Sequence, residues 1–516
     1  MKKTIAALTA LSCVVGAFAY NDLLNCSDRT FSLPSVRYMH KIRPAYPGNT
    51  VSVGNLPEGL TWNERRSLVE GVIENPGEYY YNVIVSNTDT VPIHLTVSND
   101  LTMPTPMMGW LSWNVVLANV SDSLMRQTAD AFHEKGLYDA GYRWLGIDDD
   151  WHIGQIRPTD GKPKPNPDRF PNGMKAVGDY LHSRGFKFGI YSTAAHQTCD
   201  SKFGSYLHED TDAQAYADWG VDFLKYDYCH VPSLCLGDTT YQDRSVALYL
   251  YGRMRDAIKK TGRPIVLYMC EWGSTKPWQW AHEAGAPMWR ATHDHRDGWV
   301  GYPDSCNANV RGHGIGMRQE LYLWRDLWPY TGVNHFSDAD MLCIGIRGRG
   351  MASNIFLDGV TRDKELGWVK DGKPYYGMTP LEAQTEFIMW CMWSSPLLLS
   401  FDARDYINQE DLDVITNPEL IAINQDPMGQ AAEYINEKGG VQLWAKDLAD
   451  GSVAVAAVNM NPTSVDYTIE ASEINALDPT KTYSSRNPLL RLDEAPFSGS
   501  ATYTIPSHAT KILILK

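Results

Sequence analysis

The chain has 516 residues, enough for two or three domains and a large core. Its formal net charge of -15 argues against a nucleic-acid partner, because phosphate binding needs a basic face. Aromatic residues make up 11%, with 17 Trp and 28 Tyr, a supply that serves core packing and also stacking on the C–H faces of sugars.

The chain opens on Met1-Lys2-Lys3, an apolar run from Thr4 to Phe18, and the small-x-small triplet Ala17-Phe18-Ala19. This predicts a secretory signal peptide over residues 1–19, too short for a membrane span, and a periplasmic or secreted product. Cys13 offers lipoprotein anchoring as an alternative, but Ala10-Leu11-Ser12 is a poor lipobox, so cleavage after Ala19 is expected. No other stretch reads as a transmembrane segment. Eight cysteines follow (26, 199, 229, 235, 270, 306, 343 and 391), with no closely spaced pair of the kind that holds zinc.

Residues 20–103 are strand-like. The clearest runs are Glu78 to Val85 and Ile93 to Val97, punctuated by turn signals at Pro57-Glu58-Gly59 and Asn75-Pro76-Gly77. From 104 to 429 short apolar strands alternate with helical stretches such as Asp122 to Lys135, Gly173 to Arg184 and Ser245 to Lys260. Eight strands are predicted, around Met107, Tyr142, Phe186, Val221, Pro264, Pro287, Asp340 and Pro396. The alternation over about 320 residues predicts a (β/α)₈ TIM barrel with long loops at 294–338 and 345–381. A doubly wound sheet fits less well, since no Gly-rich phosphate loop follows the first strand. Residues 430–516 alternate apolar and polar positions and predict an antiparallel β-domain. The fold class is therefore α/β, a barrel flanked by an N-terminal β-sandwich-like module and a C-terminal β-domain.

Charged and aromatic residues recur at the predicted strand ends. They are Trp110, Asp148-Asp149-Asp150, Tyr191, Lys225 and Asp227, Glu271, Arg290 and Asp294, and Asp338 and Asp340. In a barrel these ends gather at one face, where catalytic groups converge. Metal binding fits poorly, because adjacent strand residues point to opposite faces and no His cluster has ligand spacing, so neither a metal nor a cofactor is expected. Glycoside hydrolysis fits better: it needs two carboxyls across a sugar, cations to orient hydroxyls, and an aromatic platform.

At this point the chain resembles the α-galactosidases of glycoside hydrolase family 27. The resemblance runs through Met108-Gly109-Trp110-Leu111-Ser112-Trp113-Asn114, Ile147-Asp148-Asp149-Asp150-Trp151, Arg169-Phe170-Pro171-Asn172-Gly173-Met174, Val221 to Asp227, Cys270-Glu271-Trp272-Gly273, Trp289-Arg290, Asp340-Met341-Leu342 and Ile423-Asn424-Gln425-Asp426, in the family's order. It implies Asp227 as nucleophile and Asp294 as general acid/base of a retaining double displacement. It also implies that Asp148 and Asp149 hold the 4- and 6-hydroxyls beside Lys225, and that Glu271 and Arg290 face the 2-hydroxyl. Trp110, Tyr191 and Asp340 complete the pocket. On this reading Asp294 has a raised pKa and Lys225 keeps Asp227 ionised. The resemblance further implies a Cys199–Cys229 disulfide and a galactose-containing glycan as substrate. The N-terminal Leu56 to Trp62 resembles Ig-like modules of bacterial glycosidases, and packing is favoured over glycan binding as its role.

Two departures stand out. Asp150 occupies a position where many relatives have Cys or Gly, and Ser337-Asp338-Ala339-Asp340 lacks the proline common there. Asp150, Asp338 and Glu382 read as structural. The competing activities are β-L-arabinopyranosidase, which Asp149 disfavours, and α-N-acetylgalactosaminidase, which Glu271 disfavours. A non-catalytic glycan-binding protein is the remaining alternative, and it would need neither candidate carboxyl.

Overall fold

The computed structural model describes residues 22–231, 243–301, 314–350, 354 and 357–516. The predicted signal peptide, Cys13, Cys235 and Cys306 lie outside them. No described helix is long and apolar enough to cross a membrane.

The N-terminal region forms two small sheets, one of four strands and one of three. Along Gly77–Val85 the second half alternates between buried and partly buried residues, as a half-covered strand should. Tyr81, Val83, Ile93 and Leu95 of one sheet share a core with Tyr38, Leu60 and Val69 of the other. This unit docks by a small apolar cluster, Met39 and Leu68 against Met428, and by polar contacts. Ser27 meets His335, Met103 N donates to Asn334 Oδ1 (3.0 Å), Arg66 pairs with Asp447 (2.6 Å) and Lys41 with Glu433 (3.0 Å). Asn334 and His335 immediately precede a barrel strand, so the unit sits at the end of the barrel away from the converging acids.

The central sheet has eight parallel strands in chain order: β1 Met108–Leu111, β2 Trp144–Gly146, β3 Lys187–Thr193, β4 Phe223–Asp227, β5 Val266–Cys270, β6 Met288–Arg290, β7 Phe336–Asp338 and β8 Leu397–Leu399. β8 pairs with β1, and a parallel bridge between Leu342 and Leu399 closes the ring. Its interior is filled by Leu111, Phe223, Val266, Tyr268, Met288, Phe336 and Leu398. Gly189 is required there, since a β-carbon would stand 1.9 Å from the Phe223 ring.

The seventh strand departs from expectation. Residues 340–344 were expected to form it, yet Phe336–Asp338 does, and only Leu342 keeps a bridge. Asp340 has φ +78°, which breaks the extended backbone, and its N–H turns back to Asp338 Oδ1 (3.0 Å). A short apolar run such as Met341 to Ile344 carries no periodicity that separates a strand from a buried turn. The helices fall where predicted, at Asp122–Glu134, Gly173–Ser183 and Arg244–Thr261. In the 345–381 loop, a hairpin at Val360–Asp363 and Gly367–Lys370 is tied down from below: Asp297 accepts from Gly348 N (2.7 Å) and Met378 N (2.8 Å).

The C-terminal region is an eight-stranded antiparallel sheet. Along Val441–Asp447, Leu443 and Ala445 face its own core, whereas Trp444 and Lys446 face the barrel. Lys446 is buried and donates to Ile423 O (2.6 Å), Ser394 Oγ (2.8 Å) and Cys391 O (3.2 Å). Cys391 and Ile423 lie in the last turns of helices Pro380–Met392 and Pro418–Asn424, where a cation complements the helix dipole. Burial lowers its pKa to about 8. Lys446→Met strips the donor from these acceptors, and the expected loss is about 2–4 kcal/mol of stability. An unchanged thermal melt would contradict this role.

Candidate active site

Alternation along β4 sets the centre of the site. Phe223, Lys225 and Asp227 share the inward face, while Leu224 and Tyr226 pack into the outer core. Register extends this face sideways. Tyr191 stands opposite Lys225 on one side and Tyr268 on the other, and the next layer holds Thr193, Asp227 and Cys270.

Lys225 Nζ lies 2.7 Å from Asp148 Oδ2 and 5.6 Å from the centroid of the Tyr191 ring, a buried ion pair flanked by an aromatic face. Burial opposes the ammonium charge, but Asp148, Asp227 and Asp340 outweigh it and raise the Lys225 pKa. Tyr191 Oη is buried and finds no hydrogen-bond partner among the described residues, so a polar group is available to a ligand there. Asp149 accepts from Asp200 N (3.0 Å) and Asp150 N (2.7 Å), and burial pushes its carboxyl up to about 7. Asp150 turns away to pair with Lys202 (2.7 Å). Its φ of +70° explains why glycine suits this position: the left-handed backbone strains most side chains, and Asp is among those that tolerate it.

Asp227 is buried, and Tyr228 N donates to its Oδ1 at 2.7 Å. The Cys199–Cys229 disulfide is present, and its sulfurs and the Asp227 carboxylate all lie within 4.8 Å of one another. Thr193 Oγ1 donates to the carbonyls of Asp227 and Cys229 (both 3.2 Å), pinning the backbone that carries the acid.

On the other side, Arg290 ends β6 with both terminal nitrogens of its guanidinium engaged. Nη1 is 3.0 Å from Asp340 Oδ1, and Nη2 donates to Thr292 O (3.2 Å) and Asp294 Oδ1 (3.1 Å). Asp340 Oδ2 in turn accepts from His295 N (2.9 Å), holding the loop that presents Asp294. The second Asp294 oxygen accepts from Arg296 Nη2 at 3.0 Å. Asp294 keeps 43% of its side chain exposed, at the mouth of the site.

The expected order of proton affinities is reversed. Burial pushes Asp227 up to about 6 although Lys225 opposes it, because the Lys225 ammonium is bonded to Asp148. For Asp294, burial raises the pKa, but Arg296, Arg290 and Lys225 outweigh it and hold the carboxyl well below its ordinary range.

Asp148, Asp149, Tyr191, Lys225, Asp227, Arg290, Asp294 and Asp340 are thus brought near one another at the strand ends. Trp110 is not, and Glu271 follows β5 with its Oε1 buried and without a hydrogen-bond partner among the described residues. Trp110 packs in the outer core and donates to Phe401 O (2.8 Å). Glu271 accepts from Thr275 N (2.8 Å), and burial pushes its carboxyl up to about 8 beside Tyr251 and Arg244. One residue, Trp113, went unread as a site residue. It is the first residue of the short helix that follows β1, and it packs against the barrel interior beside the inward Leu111. Asp338, buried inside the barrel, accepts from Tyr268 Oη and is pushed up to about 7 by burial against the pull of Arg290. Glu382 serves its own helix, closing a capping box with Thr379, as its structural reading implied.

Comparison with known proteins agrees with this geometry. A family model described as alpha galactosidase A matches residues 105–355, and one for an alpha galactosidase C-terminal beta sandwich domain matches 438–515. Alpha-galactosidase A of Cellvibrio japonicus is 36% identical over 71% of this chain and 79% of its own. The crystal structure of alpha-galactosidase I from Mortierella vinacea superposes at TM-score 0.70 with 27% identity, covering 81% of this chain and 98% of its own. A Bacteroides fragilis crystal structure, 32% identical, covers 96% of this chain and 97% of its own at TM-score 0.70.

Proposed function

The chain belongs to glycoside hydrolase family 27 as an α-galactosidase, hydrolysing terminal α-D-galactosyl residues, and from that premise we propose how its side chains divide the work. Asp227 is the nucleophile and Asp294 the acid/base. The observation that carries this is the pairing of a buried carboxyl at the inward end of β4 with a half-exposed one on the loop after β6, close enough that each influences the other's charge.

In the first step the Asp294 O–H passes its proton to the glycosidic oxygen as the C1–O bond breaks and Asp227 bonds C1. In the second, water adds to C1, its proton goes to Asp294, and the Asp227–C1 bond breaks. Asp148, Asp149 and Lys225 hold the 4- and 6-hydroxyls, with Tyr191 Oη as a further polar contact. Arg290 and Asp340 orient the acid/base loop. Trp113, on the interior side, supplies the aromatic surface in place of Trp110. Asp149 favours galactose over arabinopyranose, and Glu271, with Oε2 on Thr275 N and Oε1 buried without a partner among the described residues, weighs against an acetamido sugar.

The reading also includes a galactose-containing glycan as natural substrate and export to an oxidising compartment. The disulfide beside Asp227 and the leader-like residues 1–19 support the latter. The test is hydrolysis of an aryl α-D-galactoside followed by ¹H NMR. The α anomer of galactose should appear first and then mutarotate. Early β anomer would sink the double displacement, and faster turnover of the α-N-acetylgalactosaminide or β-L-arabinopyranoside would move the specificity.

A further inference from the structure

Helix Pro380–Met392 packs apolar residues such as Phe387, Ile388 and Met389 into the core, yet Glu386 sits among them, 0% exposed. A buried carboxylate is costly unless donors surround it. Three do: His295 Nε2 and Cys343 N donate to Oε1 (both 2.8 Å), and Ile344 N donates to Oε2 (2.8 Å). These donors come from two segments that the site needs in register. His295 follows Asp294 on the loop after β6, and Cys343 and Ile344 lie beyond Asp340 in the segment after β7. On the site side, Arg290 bonds Asp294 and Asp340, and His295 N donates to Asp340 Oδ2. Glu386 ties the same two segments from behind. One turn along the helix, Trp390 Nε1 donates to Asp340 O (3.0 Å), and its ring centroid is 5.0 Å from that of His295. Cys343 Sγ lies within 4.8 Å of the His295 and Glu386 side chains. However, burial pushes the thiol pKa well up, and N–H donors already occupy both carboxylate oxygens, so a brace fits this cluster better than a cation.

We propose that Glu386 is a positioning residue for the acid/base: bonded to His295 and to the segment that carries Asp340, it fixes where Asp294 stands against the glycosidic oxygen, without touching substrate itself. The proposal rests on Asp294 being the acid/base. Proton transfer needs hydrogen-bond distance between that carboxyl and the leaving oxygen, and a displacement of about 1 Å costs up to about 100-fold in rate. The sugar-binding side is held by other contacts. Asp148 is fixed by Lys225 (2.7 Å) and Asp149 by Asp200 N (3.0 Å), so galactose binding does not depend on Glu386.

The experiment measures kcat and KM of Glu386→Gln and the unmutated protein on melibiose and on 4-nitrophenyl α-D-galactoside, together with inhibition by galactose. Gln has the volume of Glu but turns an NH₂ group toward one of the three N–H donors. Glu386→Gln is expected to lose roughly 10- to 100-fold in kcat on melibiose, whose leaving sugar needs the proton, and less than about threefold on the nitrophenyl substrate, whose leaving group hardly does. The galactose inhibition constant should stay within about twofold, since the sugar-binding side is untouched. Equal losses on both substrates, or weakened galactose inhibition, would mean that Glu386 only supports the fold. Unchanged turnover of melibiose would mean that the loop holds itself. Each of these overturns the proposal. If Glu386→Gln does not fold, His295→Leu and His295→Gln make the same test. Gln still offers an N–H to Glu386 and should keep most of the melibiose turnover that Leu loses, and equal values for the two would overturn the proposal. Asp294→Ala, run in parallel, should harm melibiose far more than the nitrophenyl substrate. If it does not, the acid/base reading fails and takes the proposal with it, whereas a normal Asp294→Ala result beside a flat Glu386→Gln result sinks the proposal alone.

Discussion

Asp227→Asn is expected to lower kcat on an aryl α-D-galactoside by about 10⁴-fold or more while leaving the protein folded and able to bind galactose. Asn keeps the acceptor oxygen for Tyr228 N–H and nearly the same volume, so the fold has no reason to change. What disappears is the electron pair that forms the bond to C1. A second variant gives a positive signal. In Asp227→Gly the face opposite the leaving group is open, and azide can attack there, forming the C1–N bond as the C1–O bond to a good leaving group breaks. The product should be β-galactosyl azide, since attack comes from the face opposite the α-linked group. Full activity in Asp227→Asn, or α-galactosyl azide from Asp227→Gly, would place the nucleophile elsewhere.

Lys225→Met should show its effect in two independent readouts. The first is stability. Asp148 is buried against the ammonium at 2.7 Å, and removing one member of a buried pair leaves the other without its counter-charge, a loss of roughly 3–5 kcal/mol. Calorimetry at neutral pH should record a lowered barrel transition. The second is the pH profile. With Asp294 held ionised and Asp227 raised to about 6, the pair binds a single proton below about pH 6 and none above it. One proton has to be present for the acid step, so kcat/KM should decline as pH rises through about 6. Lys225 lowers the Asp227 pKa, so its removal raises that pKa and the decline should move to higher pH. Lys225→Arg keeps the charge and should leave the decline near 6. A decline that stays put in Lys225→Met would show that the charge on Lys225 does not reach Asp227.

The reversed order of proton affinities between Asp227 and Asp294 is not legible from residue types. Lys225 and Asp227 are two apart on one strand, and from that spacing the ammonium looks like the partner of the nucleophile. Its partner is instead Asp148, 77 residues earlier in the chain. Trp110 illustrates a smaller miss. A family motif read as a string does not separate the two tryptophans in Met108 to Trp113, whereas the pleat puts Leu111 inside and Trp110 outside, and the helical turn that follows brings Trp113 onto the interior cluster.

Much was legible without coordinates. The change of rhythm near residue 104, the alternation that turns Lys225 and Asp227 inward, the helix positions, and the ordered motifs that gave the family all depend on neighbours a few residues apart, and backbone geometry transmits such information directly. Other features depend on groups remote in the chain coming within a few ångströms: the Arg290–Asp340 brace, the grip of Arg296 on Asp294, the buried Lys446 between two helix ends, and the left-handed turn at Asp340 that ends the seventh strand early. Desolvation and Coulomb interactions change steeply over such distances, and they decide which carboxyl holds a proton. The sequence by itself determined which residues stand at the strand ends. Only the tertiary structure decided which of them meet, and with it the direction in which each acid's proton affinity moves.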